Sequence, residues 1–134
     1  LSGSGYGNGW FDALAKPAFM PPAWVFPVAW TAIYILIGIA AGLVLAADRS
    51  AARSRALRLF GLQLALNLAW SPLFFGLHRA QAALGLIVAL DLAVLLTAAA
   101  FLRVRTAAGL LLFPYVAWLA LATALNWEIV RLNP

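Results

Sequence analysis

The chain has no cysteine and a single histidine, His78. The first absence removes disulfide frameworks, thiolate metal sites and thiol nucleophiles. The second removes imidazole metal sites, since one histidine without neighbouring carboxylates does not hold a metal ion. Charge is equally scarce: Asp, Glu, Lys and Arg make up 10% of 134 residues. No carboxylate pair, Ser/His/Asp set or glycine-rich phosphate loop is present. An enzyme of the usual hydrolytic or redox type is therefore not supported, and no catalytic residue is assigned. Four acidic residues stand against nine basic ones. That excess does not read as nucleic-acid binding, because the basic residues cluster between apolar stretches.

Those stretches are what the sequence does have. Hydrophobic residues make up 66% of it, far from a soluble domain of this size. Val25–Ala47, Leu59–Leu77 and Thr106–Trp127 carry no charge, and Ala80–Leu102 carries only Asp91. As helix, about 20 residues cover about 30 Å, the thickness of a bilayer core. A backbone in lipid must satisfy itself, and nothing here alternates like a barrel strand. The fold class is all-α: a multi-pass integral membrane bundle of four transmembrane helices at residues 25–134, preceded by an extramembrane loop at 1–24. Short connections make sequential helices antiparallel neighbours.

Arg49, Arg53, Arg55 and Arg58 lie between the first two windows, and Arg103 and Arg105 between the last two. The positive-inside rule places both connections in the cytoplasm, and the 1–24 loop and the turn at His78–Arg79 on the other side. The first connection is the longest and has room for a short surface helix. Leu1–Gly9 is a Gly/Ser tract without the basic head and apolar run of a signal peptide. Gly38 and Gly42 form a GxxxG, and Gly61, Ala65 and Ala69 a row of small residues. Such rows let helices approach closely. Packing within the bundle is the first expectation and a homodimer seam the alternative.

The aromatics are placed with a pattern. Between Trp10 and Trp24 the loop holds Phe11, Phe19 and the stiff pair Pro21-Pro22, which suits a lid better than a spacer. Trp24 and Trp127 fall at the outer interface, where indoles belong. Trp30, Trp70 and Trp118 are deeper, at roughly 9 to 14 Å below the outer face. Helical spacing puts Tyr34 beside Trp30, Asn67 and Phe74 beside Trp70, and Ala122 and Leu125 beside Trp118. Convergence of these faces would make an aromatic cavity with one amide, suited to a flat hydrophobic ligand. Asp91, at the midpoint of its window, reads as a structural carboxyl bonded to Gln63, Asn67 or Thr123 inside the bundle. No intramembrane cation is available to it, and no second acid for a proton relay.

At these residues the chain resembles the TspO/MBR family, the translocator proteins or peripheral benzodiazepine receptors. The matching pieces are Trp10-Phe11, Leu14-Ala15-Lys16-Pro17, Pro21-Pro22-Ala23-Trp24 and Trp30; Ala65-Leu66-Asn67-Leu68-Ala69-Trp70-Ser71-Pro72-Leu73-Phe74-Phe75-Gly76; and Pro114-Tyr115 through Trp118 to Ala122-Thr123-Ala124-Leu125-Asn126. The resemblance implies a five-helix bundle, of which the four windows here match all but the first helix. It implies a pocket under the loop, and ligands that are porphyrins, haem or other tetrapyrroles, or synthetic benzodiazepine-type compounds, rather than a resident cofactor. The family's pocket tryptophans and asparagine fall on Trp30, Asn67, Trp70 and Trp118. Protoporphyrin-type tetrapyrroles and the lipid bilayer are the expected partners. Two further readings stand beside the binder: light-dependent porphyrin breakdown, in which a pocket Trp donates an electron, and transport of porphyrin or lipid. Cholesterol recognition does not carry over, because Trp127 stands where the mammalian motif in Leu125–Arg131 has Tyr.

Overall fold

The computed structural model describes residues 24–73 and 80–133. The lid residues Trp10, Phe11, Phe19, Pro21 and Pro22, the site residue Phe74 and the turn at His78–Arg79 lie outside them. Among these described residues five helices follow in order: α1 Val25–Leu45, α2 Ala51–Ser71, α3 Ala80–Val104, α4 Thr106–Leu110 and α5 Phe113–Leu132. No strand occurs among the described residues. The all-α membrane bundle expected from the apolar windows is the fold.

The second helix begins eight residues before its charge-free window. Ser50 is its N-cap and accepts a hydrogen bond from the Arg53 backbone N–H at 3.1 Å, and the Ala/Arg run behind it favours helix. Arg53, Arg55 and Arg58 therefore ride on the first turns of α2, not in a long loop with its own surface helix. Arg53 also reaches back to α1. Its guanidinium donates to the Val44 carbonyl at 3.3 Å and the Leu45 carbonyl at 3.0 Å, two of the acceptors a helix end leaves unmet.

The fourth window is not one helix. Proline 114 has no N–H to give the carbonyl one turn back, so the ladder breaks before it. Leu112 N–H bonds the Gly109 carbonyl instead, in a tight three-residue turn at 3.1 Å. Short α4 folds back on the end of α3 so closely that a Cβ at Gly109 would lie 2.8 Å from the Leu102 backbone nitrogen and closer still to its side chain. Only glycine fits there.

The long helices run in the order α1, α2, α3, α5 around the bundle, with α2–α3 the most extensive interface and α4 wedged between α3 and α1. α2 and α5 face each other across the middle without being a packed pair. The core takes Ile33, Ile37, Ala40 and Val44 from α1, Ile87, Leu90, Val94, Ala98 and Phe101 from α3, and Tyr115, Leu119 and Ala122 from α5, each set at helical spacing. α2 differs: its buried stripe is Ala56, Gln63 and Asn67.

Three segments are long and apolar enough to cross a membrane: α1, Gln81–Val104 within α3, and Thr106–Leu132, which joins α4 and α5. α2 falls short among its described residues because of its arginine-bearing head and its two buried amides. Large apolar side chains cover the outside, among them Ile35, Ile39, Leu68, Leu92 and Leu96, the surface lipid requires. Gly38, Gly42 and Gly61 face outward with open space around them, and Ala65 and Ala69 are also exposed. Those rows do not pack inside the bundle as first expected.

Candidate functional site

One turn of α1 sets the site. Trp30 and Tyr34, four residues apart, stack with ring centroids 5.8 Å apart and 27° between planes. From α5, Trp118 meets Trp30 edge-on at 6.0 Å and 84°. Phe26, a turn before Trp30, also meets Trp118 edge-on, at 5.8 Å and 76°. Offset and edge-on pairs are the favoured aromatic geometries, with the positive ring edge over a negative face. The cluster thus has a built shape.

Behind it runs a chain of hydrogen bonds across the bundle. The Tyr34 hydroxyl donates to Asn67 Oδ1 at 2.5 Å, Asn67 Nδ2 to the Tyr115 hydroxyl at 2.9 Å, and Tyr115 to Gln63 Oε1 at 2.7 Å. Each hydroxyl has one hydrogen, so the chain has a single direction, from α1 through α2 and α5 back to α2. A second bridge, Trp70 Nε1 to Asn126 Oδ1 at 3.0 Å, also joins α2 to α5. Polar side chains therefore span the diagonal that the backbones leave open. Among the described residues, two buried donors stay outside this pairing: Trp118 Nε1 and Gln63 Nε2 have no hydrogen-bond partner there. In an interior where nearly every buried polar group is satisfied, such atoms call for an explanation.

Of the site residues read from sequence, Trp30, Tyr34, Asn67 and Trp118 come together directly. Ala122 and Leu125 are buried on α5, one and two turns beyond Trp118. Trp70 bonds α5 through Asn126, a turn beyond Ala122. Asp91 is hydrogen-bonded to Thr123, one of the three partners expected, with Oγ1 and Oδ2 2.6 Å apart. Gln63 and Asn67 bond the tyrosines instead. Tyr115, Gln63 and Asn126 belong to the site and were missed. Their signal was in the spacing: Gln63 is a turn from Asn67, and Tyr115 a turn from Trp118. Trp24 and Trp127 are exposed, 68% and 58%, as interface indoles should be. Arg131 pairs with Glu128 on the exposed end of α5.

The sequence that builds this arrangement has relatives among known proteins. The sequence model of the TspO/MBR family matches residues 2–132. The chain belongs to the TspO/MBR family. Like other members of the TspO/MBR family it is a multi-pass integral membrane protein. It is 43% identical over 127 residues to Protein CrtK of Rhodobacter capsulatus, covering 93% of this chain and 79% of the relative. It is 44% identical over 124 residues to the tryptophan-rich sensory protein of Cereibacter sphaeroides, covering 92% and 77%. To the translocator protein of Homo sapiens it is 37% identical over 132 residues, covering 96% and 78%.

Proposed function

We propose that this protein is a membrane sensor or translocator that binds a tetrapyrrole of the protoporphyrin type against the Trp30–Trp118 cluster. The observation that carries this reading is the pairing of a shaped aromatic wall with buried, unpartnered N–H donors at Trp118 and Gln63. A macrocycle offers a large apolar face for the indoles, and acceptor atoms for the donors. Asn67, held from both sides, is a rigid polar marker in the wall. Porphyrin or haem enters here as ligand, not as resident cofactor. The relatives' names, sensory protein and translocator protein, agree with a ligand-responsive membrane role.

The test is titration of protoporphyrin IX into the detergent-solubilised protein, followed by tryptophan quenching in the dark and in light. Trp30→Ala and Trp118→Ala are expected to weaken affinity about tenfold or more. Ala122→Phe should block the site with the fold intact, and Trp24→Ala should matter little. Unchanged affinity in both pocket variants, with helicity preserved, would return these residues to ordinary packing. Modified porphyrin formed only in light would instead favour the photochemical reading. The edge-on Trp30–Trp118 contact with stacked Tyr34 supports that reading, because adjacent oxidisable rings can share an electron hole.

A further inference from the structure

Asp91 stands at the middle of α3 with no cation among the described residues paired to it. Thr123 Oγ1 lies 2.6 Å from its Oδ2 and 2.8 Å from the Leu119 carbonyl oxygen. A hydroxyl has one hydrogen, so it cannot donate to both. Both contacts are met together when Thr123 donates to Leu119 and accepts from a carboxyl that carries its proton, the neutral form that an apolar span favours. The carbonyl oxygen of that carboxyl, Oδ1, is buried and has no hydrogen-bond partner among the described residues.

Asp91 is part of the wall of a crevice of about 210 Å³ between α3 and α5, with Val94, Leu95, Val116, Leu119 and Ala120. A cavity of roughly 150 Å³ holds benzene, so this one has room for a ring or an alkyl segment. Leu95 and Ala120 are exposed on the outer surface of the bundle, so the crevice is reached sideways, from lipid. On α5, Val116, Ala120 and Thr123 lie on the side opposite Trp118, Ala122 and Leu125. The crevice and the aromatic cluster are separate.

We propose that this crevice is a second ligand site, entered from the bilayer, that takes the hydroxyl end of an uncharged amphiphile, with the hydroxyl donating to Asp91 Oδ1. One acceptor at the end of an apolar slot matches one donor at the end of an apolar chain. A cationic amine fits less well, because it needs an ionised carboxylate and would leave Thr123 with two acceptors for one hydrogen.

Decanol and its methyl ether, added to the purified protein in detergent, test this by infrared spectroscopy. The protonated-carboxyl C=O band, assigned by its loss in Asp91→Leu, is expected to shift down with decanol and to stay in place with the ether. A photoactivatable alkanol should label α3 and α5 peptides, with labelling reduced at least about tenfold in Ala120→Phe, which fills the slot without touching Asp91. Protoporphyrin affinity should be unchanged in Ala120→Phe, which separates this site from the aromatic one. Absence of the protonated band, a band unmoved by decanol, or labelling indifferent to Ala120→Phe each overturns the proposal.

Discussion

The tryptophan end of the bundle and the arginine end hold their helices together by different means. At the arginine end, Ala40, Val44, Ala56, Ala98, Phe101, Ala108 and Leu112 are buried, and Phe60 stacks on Phe101 at 5.9 Å and 20°. Small residues let the backbones close up around one aromatic pair. At the other end, Trp30, Tyr34, Asn67, Trp70, Tyr115, Trp118 and Asn126 join helices through rings and amides, across a diagonal whose backbones stay apart. Lipid tails are as apolar as leucine, so burying apolar surface does not drive helices together in a membrane. Close packing or hydrogen bonding must do it. One end uses the first, and the other uses the second.

The largest expected effect strikes the packed end. Phe101→Ala removes a fully buried ring that the stacked Phe60 cannot replace, and should cost about 3 kcal/mol or more of stability, read as a drop in the denaturation midpoint in detergent. Porphyrin affinity of the molecules that remain folded should be unaltered. Gly109→Ala comes next, at about 2 kcal/mol, because the new methyl meets the Leu102 backbone nitrogen as well as its side chain, so moving the side chain alone does not relieve the clash. Stability equal to the parent's would show that α4 can swing away and that this end is not tightly closed.

Tyr115→Phe attacks the open end. It takes one hydroxyl from the chain and strands both Asn67 Nδ2 and Gln63 Oε1. Side-chain hydrogen bonds between membrane helices average well under 1 kcal/mol and reach about 1.7, so a loss of about 1 kcal/mol is expected, with porphyrin affinity falling as Asn67 loosens. A loss larger than that of Phe101→Ala would reverse the comparison. Smallest of all is Gly38→Ala: nothing lies near the added methyl, so the change should stay within about 0.5 kcal/mol, measured on the monomer. A clear loss of stability would mean that the outward face of α1 is covered after all.

The sequence made the packed end easy to anticipate as helix and hard to delimit. Charge-free windows found the spans, because lipid excludes charge along their whole length. They misplaced the head of α2, because arginines at a membrane face are as compatible with helix as with loop, and only the Ser50 cap decides. They also missed the break before Pro114, since a proline near a helix start and one inside a span look alike until a neighbouring helix fixes the direction. At the open end the i, i+4 rule paired Trp30 with Tyr34 correctly, for both lie on one helix. It offered no way to see that Asn67 would be held between two tyrosines from different helices. Contacts within a helix are written in its spacing, whereas contacts across the bundle depend on how far each helix slides along its neighbour.

Arg53 has a consequence for how the chain enters the bilayer. Its charge helps keep the connection between α1 and α2 on one face, while its planar fork ties off the last carbonyls of α1. Hairpin closure thus draws on a side chain that also contributes to orientation, but on a different property of it. Lysine at this position would preserve the count of positive charges that the insertion machinery reads. It would lose the forked geometry that ends the first helix and starts the second, so the hairpin would insert the right way round yet travel as two loosely coupled segments instead of one preassembled unit.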